Sequence, residues 1–360
     1  MRVGKSLLLL LSTILVLLLG IPQIATAAEE KIEFSDKNLE DIVRKAIDKP
    51  SGDLFEKDVE GLTSLTAQSE NIETLGGIEH LKSLTELNLA GNKINDLAPL
   101  KSLSGLKVLN LSENQIEDIK PLKELTNLER LYLSKNQISD ISGLEELKSL
   151  VILQIDHNRI DNIVSLGKLT KVTNLWIDHN EIENISELKN IPDLQVLRAN
   201  NNKISDLSAF SGLKKLKVLH LSHNDIGFIK PLNGLSELEV LLLDDGKVRE
   251  LIDIQGLTNL KILSLKDNNI EDITPLRTLN KLEELYLSGN SIKDFTPTES
   301  FYNTLKTKDF SLDGTELDSK DKSKEKGKDE DNNILYILLG IAFLQAAVVA
   351  FFLVKRKRAA

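Results

Sequence analysis

From Leu62 onward the apolar residues fall on a fixed grid. Leucine or valine stands at Leu62, Leu84, Leu106, Leu128, Leu150, Val172, Leu194, Leu216, Leu238, Leu260 and Leu282, a 22-residue spacing held through eleven copies to Asn303. Within a copy, positions 1, 4, 6, 11, 14, 17 and 20 are apolar and position 9 is usually Asn. Positions 3 to 7 alternate outward and inward, as in Arg130-Leu131-Tyr132-Leu133-Ser134, which is strand periodicity. The other apolar positions bring the chain back around a core. No single copy can bury its own apolar edge, so the grid predicts stacked coils. Their short strands, about 4.8 Å apart, should form one parallel sheet on the concave side. Pro at position 16 (Pro99, Pro121, Pro231, Pro275) predicts a tight turn or short 3₁₀ piece there, since its φ is set and it lacks a donor.

This spacing is that of a leucine-rich repeat solenoid. The asparagine column runs Asn92, Asn114, Asn136, Asn158, Asn180, Asn202, Asn224, Asn268 and Asn290. An Asn side chain both donates and accepts, so the column should satisfy backbone groups where the chain leaves the sheet, in preference to contacting a ligand. Glu70 in the first copy and Gly246 in the ninth break the column. The first break suits a chain end; the second predicts a locally loosened coil.

The flanks change the picture. A basic start, the apolar run Leu7 to Leu19 and the small-residue site Ala25-Thr26-Ala27 make residues 1–27 a secretory signal peptide. Residues 28–61 break the repeat: Leu39, Ile42, Val43, Ala46 and Ile47 lie on one helical stripe. Ser35 is the expected N-cap, with Phe34 stapled against Leu39. A second short helix is expected within Leu54 to Gly61. This segment should be a helical cap covering the open edge of the first coil. After the repeats (62–303), a closing segment (304–318) and a charged flexible linker (319–333) lead to residues 334–354, which carry no charge and are long enough to span a bilayer. Lys355 to Arg358 make a positive-inside stop within the cytoplasmic tail 355–360. The fold class is therefore α/β: a repeat solenoid with a parallel concave β-sheet, an N-terminal helical cap and a C-terminal transmembrane helix. The expected location is the cell membrane, crossed once, with the repeats extracellular.

Composition narrows the partners. Net charge is −10, and the basic residues of the leader and tail lie outside the repeats, so the exposed part is more acidic still; nucleic acid is excluded. With no Cys, the chain is unlike disulfide-capped extracellular repeats of the animal type and fits a bacterial envelope.

The copy form Asn136-Gln137-Ile138-Ser139-Asp140-Ile141, with FSDKNLEDIVRKAI ahead of the repeats and LTSLTAQSENIETLGGIEHLKSL as the first of them, resembles the internalin family of bacterial surface proteins over roughly residues 31–303. The resemblance implies a curved right-handed solenoid that binds a protein through its concave face. The chain departs from that family in lacking an LPxTG anchor and an immunoglobulin-like module. Its linker reaches at most about 70 Å and the coils add roughly 50 Å, which keeps the binding face near the membrane and favours a partner in the envelope over host adhesion.

Candidate chemistry sits on the outward positions. The chain's one Trp, Trp176, lies mid-sheet beside Arg198 and His220, with Tyr132 two strands away. Exposed Trp, Tyr and Arg anchor protein interfaces, so the partner-binding set is Tyr132, Gln154, Asp156, Trp176, Asp178, Arg198, His220 and Tyr286. Asp156-His157 and Asp178-His179 recur in consecutive copies. They could ligate a divalent metal, although ligands on a flat sheet rarely converge, and a duplicated polar patch is preferred. No cofactor is expected. Ser222-His223 is an adjacent pair without an oxyanion loop, and no phosphate loop occurs, so an enzyme is not expected. Ala342, Ala346 and Ala350 permit a homodimer through the span. The rival to surface recognition is a structural or regulatory subunit scaffolding an envelope complex.

Overall fold

A computed structural model describes residues 31–315 of the 360-residue chain. The leader, the end of the closing segment, the whole linker, the span at 334–354 and the basic tail lie outside the described residues. Among those described, no helix is long and apolar enough to cross a membrane.

Twelve parallel strands make one sheet in strict chain order, each hydrogen-bonded to its sequence neighbours. Eleven come from the repeats, from Ser64–Thr66 to Glu284–Tyr286; the twelfth is Thr307–Lys308. Register is exact at 22 residues among the eleven repeat strands, and 23 for the twelfth, so Trp176 lies opposite Gln154 on one side and Arg198 on the other. Regular strand covers only positions 3 to 5, shorter than the alternation predicts. Backbone pairing nevertheless runs on to position 8, as in the N–H of His157 to Asp178 O at 2.9 Å. There the chain turns through a left-handed residue: His157, His179, Asn201, His223, Asp245 and Asp267 all have φ between 51° and 57°. Residues able to adopt that backbone are chiefly Gly, Asn, Asp and His.

The core is the grid made solid. Leu128, Leu131, Leu133, Ile138, Leu147 and most of their counterparts are fully buried in one continuous cluster running the length of the coil, with Leu62 and Ile292 in the end copies only partly buried. Every coil returns through a 3₁₀ turn, with Pro in its first positions in Ala98–Ser102, Lys120–Glu124, Lys230–Leu232 and Thr274–Thr278. Copies without Pro form the turn too, as at Ser186–Asn190. Eight of the eleven copies share Asp or Asn at position 13, whose side chain accepts the N–H two residues on: Asp118 from Lys120 (2.9 Å), Asn184 from Ser186 (2.9 Å), Asp272 from Thr274 (2.8 Å); Thr74, Phe228 and Glu250 stand there in the other three.

The asparagine column is structural. Asn180 Nδ2 donates to Ile155 O (3.0 Å), Ile177 O (3.2 Å) and Asp178 O (3.2 Å), while its Oδ1 accepts from Ile160 N–H (3.0 Å). Each column member stitches its own coil to the one before. Gly246 lacks this stitch, yet its coil is not loosened: Val240–Leu242 pairs on both sides, and Lys247 N–H reaches Ile226 O at 2.7 Å. The core leucines on either side hold that coil in place.

At the N-terminus, helix Lys37–Ala46 buries Leu39 and Val43 in the common core. Its N-cap is Asp36, not Ser35: Asp36 accepts from Asn38 N–H (2.9 Å), Leu39 N–H (3.3 Å) and, from the first repeat, Glu73 N–H (2.8 Å). Ser35 Oγ instead meets Thr74 Oγ1 at 2.8 Å. A carboxylate with two oxygens serves the helix and the repeat together, which one hydroxyl cannot do. Leu54–Phe55 is a strand paired antiparallel with Lys31–Ile32, and the second helix is the single turn Glu56–Val59. At the far end Phe310 stacks on Phe295 with centroids 5.1 Å apart, and Phe301 and Leu305 join the core.

Candidate recognition face

Positions 3, 5 and 7 of each strand project from the open face of the sheet, and three columns of side chains run along it. Column 5 carries the expected residues in the expected order. Their exposure differs from expectation. Trp176 is only 8% exposed and His220 2%, because side chains at 4.8 Å spacing crowd one another. Trp176 is therefore not the exposed anchor that its outward register suggested. Tyr132, Gln154, Asp156, Arg198 and Tyr286 are half-buried.

Asp178 is buried as well. Its Oδ1 accepts from Asn200 N–H at 2.8 Å, and its Oδ2 lies 3.0 Å from Arg198 Nε, out of line for a hydrogen bond. Burial pushes the Asp178 carboxyl up to about 6, against the opposing pull of Arg198 and the Asn200 N–H. The same geometry repeats along column 7. Asn200 accepts from Ser222 N–H (2.8 Å), Ser222 Oγ from Asp244 N–H (3.1 Å), and Asp244 from Lys266 N–H (2.8 Å). This second ladder satisfies backbone donors at the strand exits, so Asp178 serves the coil before it serves any partner.

His220 is the anomaly of the face. Neither ring nitrogen has a hydrogen-bond partner, though both are buried. Burial, with the Arg198 charge beside it, depresses the imidazole to about 3, so it is neutral at ordinary pH.

The proposed metal ligands do not converge. His157 and His179 stack ring on ring at 4.1 Å. Asp156 accepts from Ser134 Oγ (2.5 Å) and pairs with His157 Nδ1 (2.9 Å), while Asp178 faces Arg198. Each carboxylate is thus engaged by a different neighbour. Among the described residues no group of three or more His, Cys, Asp or Glu side chains is placed to hold an ion. Burial first, and then His157, lowers the pKa of His179.

Column 3 was missed from the sequence. Val196, Val218, Val240 and Ile262 stand opposite one another on four consecutive strands, outward-facing and apolar. The three valines are partly exposed, and Leu242 in column 5 adjoins them. Reading every third position of the copies alongside every fifth would have found this row. Away from the sheet, a polar groove of about 830 Å³ follows the turns past the asparagine column, lined by Asp161, Glu183, Ser205 and Asp206 among others.

The family described as Leucine Rich repeats (2 copies) matches residues 104–146, 192–231 and 258–300, and that described as Leucine Rich repeat matches residues 80–97. No curated protein sequence matches. Among solved structures, the chain is similar to an internalin C2 of Listeria monocytogenes at 35% identity and TM-score 0.56, over 57% of this chain and 92% of that one. It is similar to an internalin, InlF, of the same species at 27% identity and TM-score 0.59, over 80% of this chain and 99% of that one. A Leptospira interrogans leucine-rich repeat protein aligns at 27% identity and TM-score 0.67, over 71% of this chain and 68% of that one. The plant peptide hormone receptor RGFR1, solved in complex with RGF2, shares the fold at 19% identity and TM-score 0.60, over 71% of this chain and 47% of that one.

Proposed function

This chain belongs to the internalin-like leucine-rich repeat proteins, and from that premise we propose that it is a membrane-anchored surface protein that binds a protein or peptide through the open, concave face of its sheet. The observation that carries the reading is the partly exposed apolar row Val196, Val218 and Val240, set on twelve strands held in register. A rigid strip of this kind presents side chains without an ordering penalty on binding. The plant receptor of like fold, which holds a peptide, supports the class of partner. Secretion and anchoring rest on the leader ending at Ala27 and on the uncharged segment 334–354 with its basic stop. The N-terminal helical unit is assigned the role of covering the first coil. No catalytic role is proposed.

The test is site-specific photo-cross-linking in intact cells from Gln154, half-buried on the face. The expected result is one cross-linked protein, lost when Val218→Asp is added. Cross-links arising only from the turn side would end the reading. They would favour a scaffold within an envelope complex, for which Phe228 (64% exposed) and Ile252 (56% exposed), both off the sheet, provide an apolar contact.

A further inference from the structure

We propose that the row Val196, Val218, Val240 and Ile262 takes a partner segment that is apolar along its contact edge and carries lysine or arginine beside it. The inference rests on the reading above that the open face is the recognition surface, and it names the chemistry of what binds there. Three observations carry it.

The row is continuous. Four apolar residues on four consecutive strands span about 15 Å at 4.8 Å per strand, the reach of an extended segment of a few residues. An outward apolar row of that length, flanked by polar columns, has the make-up of an interface core with a polar rim.

The charge beside its strand exits is mostly acidic. On these four strands Asp244, Asp245 and Asp267 outnumber Lys266 there, and Arg198 is balanced by Asp178, while at the strand starts Lys217 and Lys261 are matched by Glu239 and Glu283. The row itself ends at Glu284, in register with Ile262. An acidic segment laid on the valines would meet like charge on that flank, whereas a basic one would be drawn in.

The column between them holds an unmet polar group. His220, buried with both ring nitrogens unpartnered, offers one donor and one acceptor as a neutral imidazole. A peptide group or hydroxyl of the partner supplies the complement of both once the side chains that cover the ring swing aside on binding. Buried polar atoms without partners are rare in folded chains, and this one lies directly beside the row.

The experiment immobilises the full chain and offers two pools of synthetic dodecapeptides with identical Val, Leu and Ile content. Lys and Arg fill the remaining positions in one pool, Asp and Glu in the other. The cationic pool should bind about tenfold tighter at low salt, with the advantage shrinking at high salt. Asp245→Asn with Asp267→Asn removes two charges while keeping residues that tolerate the left-handed backbone, and should cut the advantage severalfold. Val218→Asp should abolish binding; Val240→Asp serves as the second variant should the first disturb folding. His220→Phe should weaken binding about tenfold. Equal or preferential binding of the acidic pool, or binding of neither, overturns the proposal. If the protein cross-linked from Gln154 presents an acidic segment, the chemistry fails and the recognition face stands. If no cross-link forms from the face, the face itself fails.

Discussion

Lys135 and Glu113 hold a backbone position that the other copies fill with Gly, Asn, Asp or His, apart from Ser69 in the first. Their φ values are 55° and 57°, in the left-handed region, where an ordinary side chain costs roughly 1–2 kcal/mol. The exposed ion pair between them, 3.0 Å from Lys135 Nζ to Glu113 Oε1, offsets little of that. Lys135→Asn is expected to raise stability by about 0.5–1 kcal/mol, read as a shift in urea midpoint; an unchanged midpoint would mean the turn carries no strain. Asp178 and His220 make opposite demands on pH. The raised Asp178 pKa means the folded state binds a proton more tightly than the unfolded, so its contribution to stability falls as pH rises from about 4 to 6. The depressed His220 pKa contributes stability that is present above about 6.5 and lost as pH falls toward 3. Between about pH 4 and 6 the two slopes, each up to about 1.4 kcal/mol per unit, oppose each other. His220→Phe should leave a chain that grows more stable as pH drops from 6 to 4.5, and Asp178→Asn one that grows less stable. Denaturant titrations at three pH values in that window decide between them.

Single elements depend on side chains that neither strand nor helix pattern reveals. The 3₁₀ turn of the eighth copy begins after Phe228 instead of Asp or Asn, so its first N–H lacks the acceptor that eight of the other copies have. Phe228→Asp should add about 0.5–1 kcal/mol and raise the melting temperature by a few degrees. A fall in melting temperature would show that the ring packs usefully. The asparagine stitch is the reverse case. Asn180→Ala removes one acceptor and three donor contacts from a buried site, and is expected to cost about 2–4 kcal/mol, measurable as a lower denaturation midpoint.

For the molecule as a whole, each coil contacts only its neighbours in the stack. A core lesion such as Leu219→Ala should cost about 2–5 kcal/mol. Loss of amide protection should centre on the coils around 196–242, while the coils near both ends keep theirs. Uniform loss across all twelve strands would show a fully cooperative unit instead. The 22-residue register also explains why a face this long stays aligned: a slip of one residue would turn every core leucine outward.

The stack, its register, the core and the role of the asparagine column were all legible in the sequence, because each depends on a pattern repeated every 22 residues and on local stereochemistry. The Asp36 cap and the column 7 ladder were not, since they join residues one coil or more apart through individual side-chain atoms. Exposure on the face was decided only by the tertiary structure. Outward register says which way Trp176 and His220 leave the backbone, but how much water reaches them depends on what stands on the neighbouring strands, 4.8 Å away. That same packing buried the aromatic anchor expected from composition and left the valine row in its place.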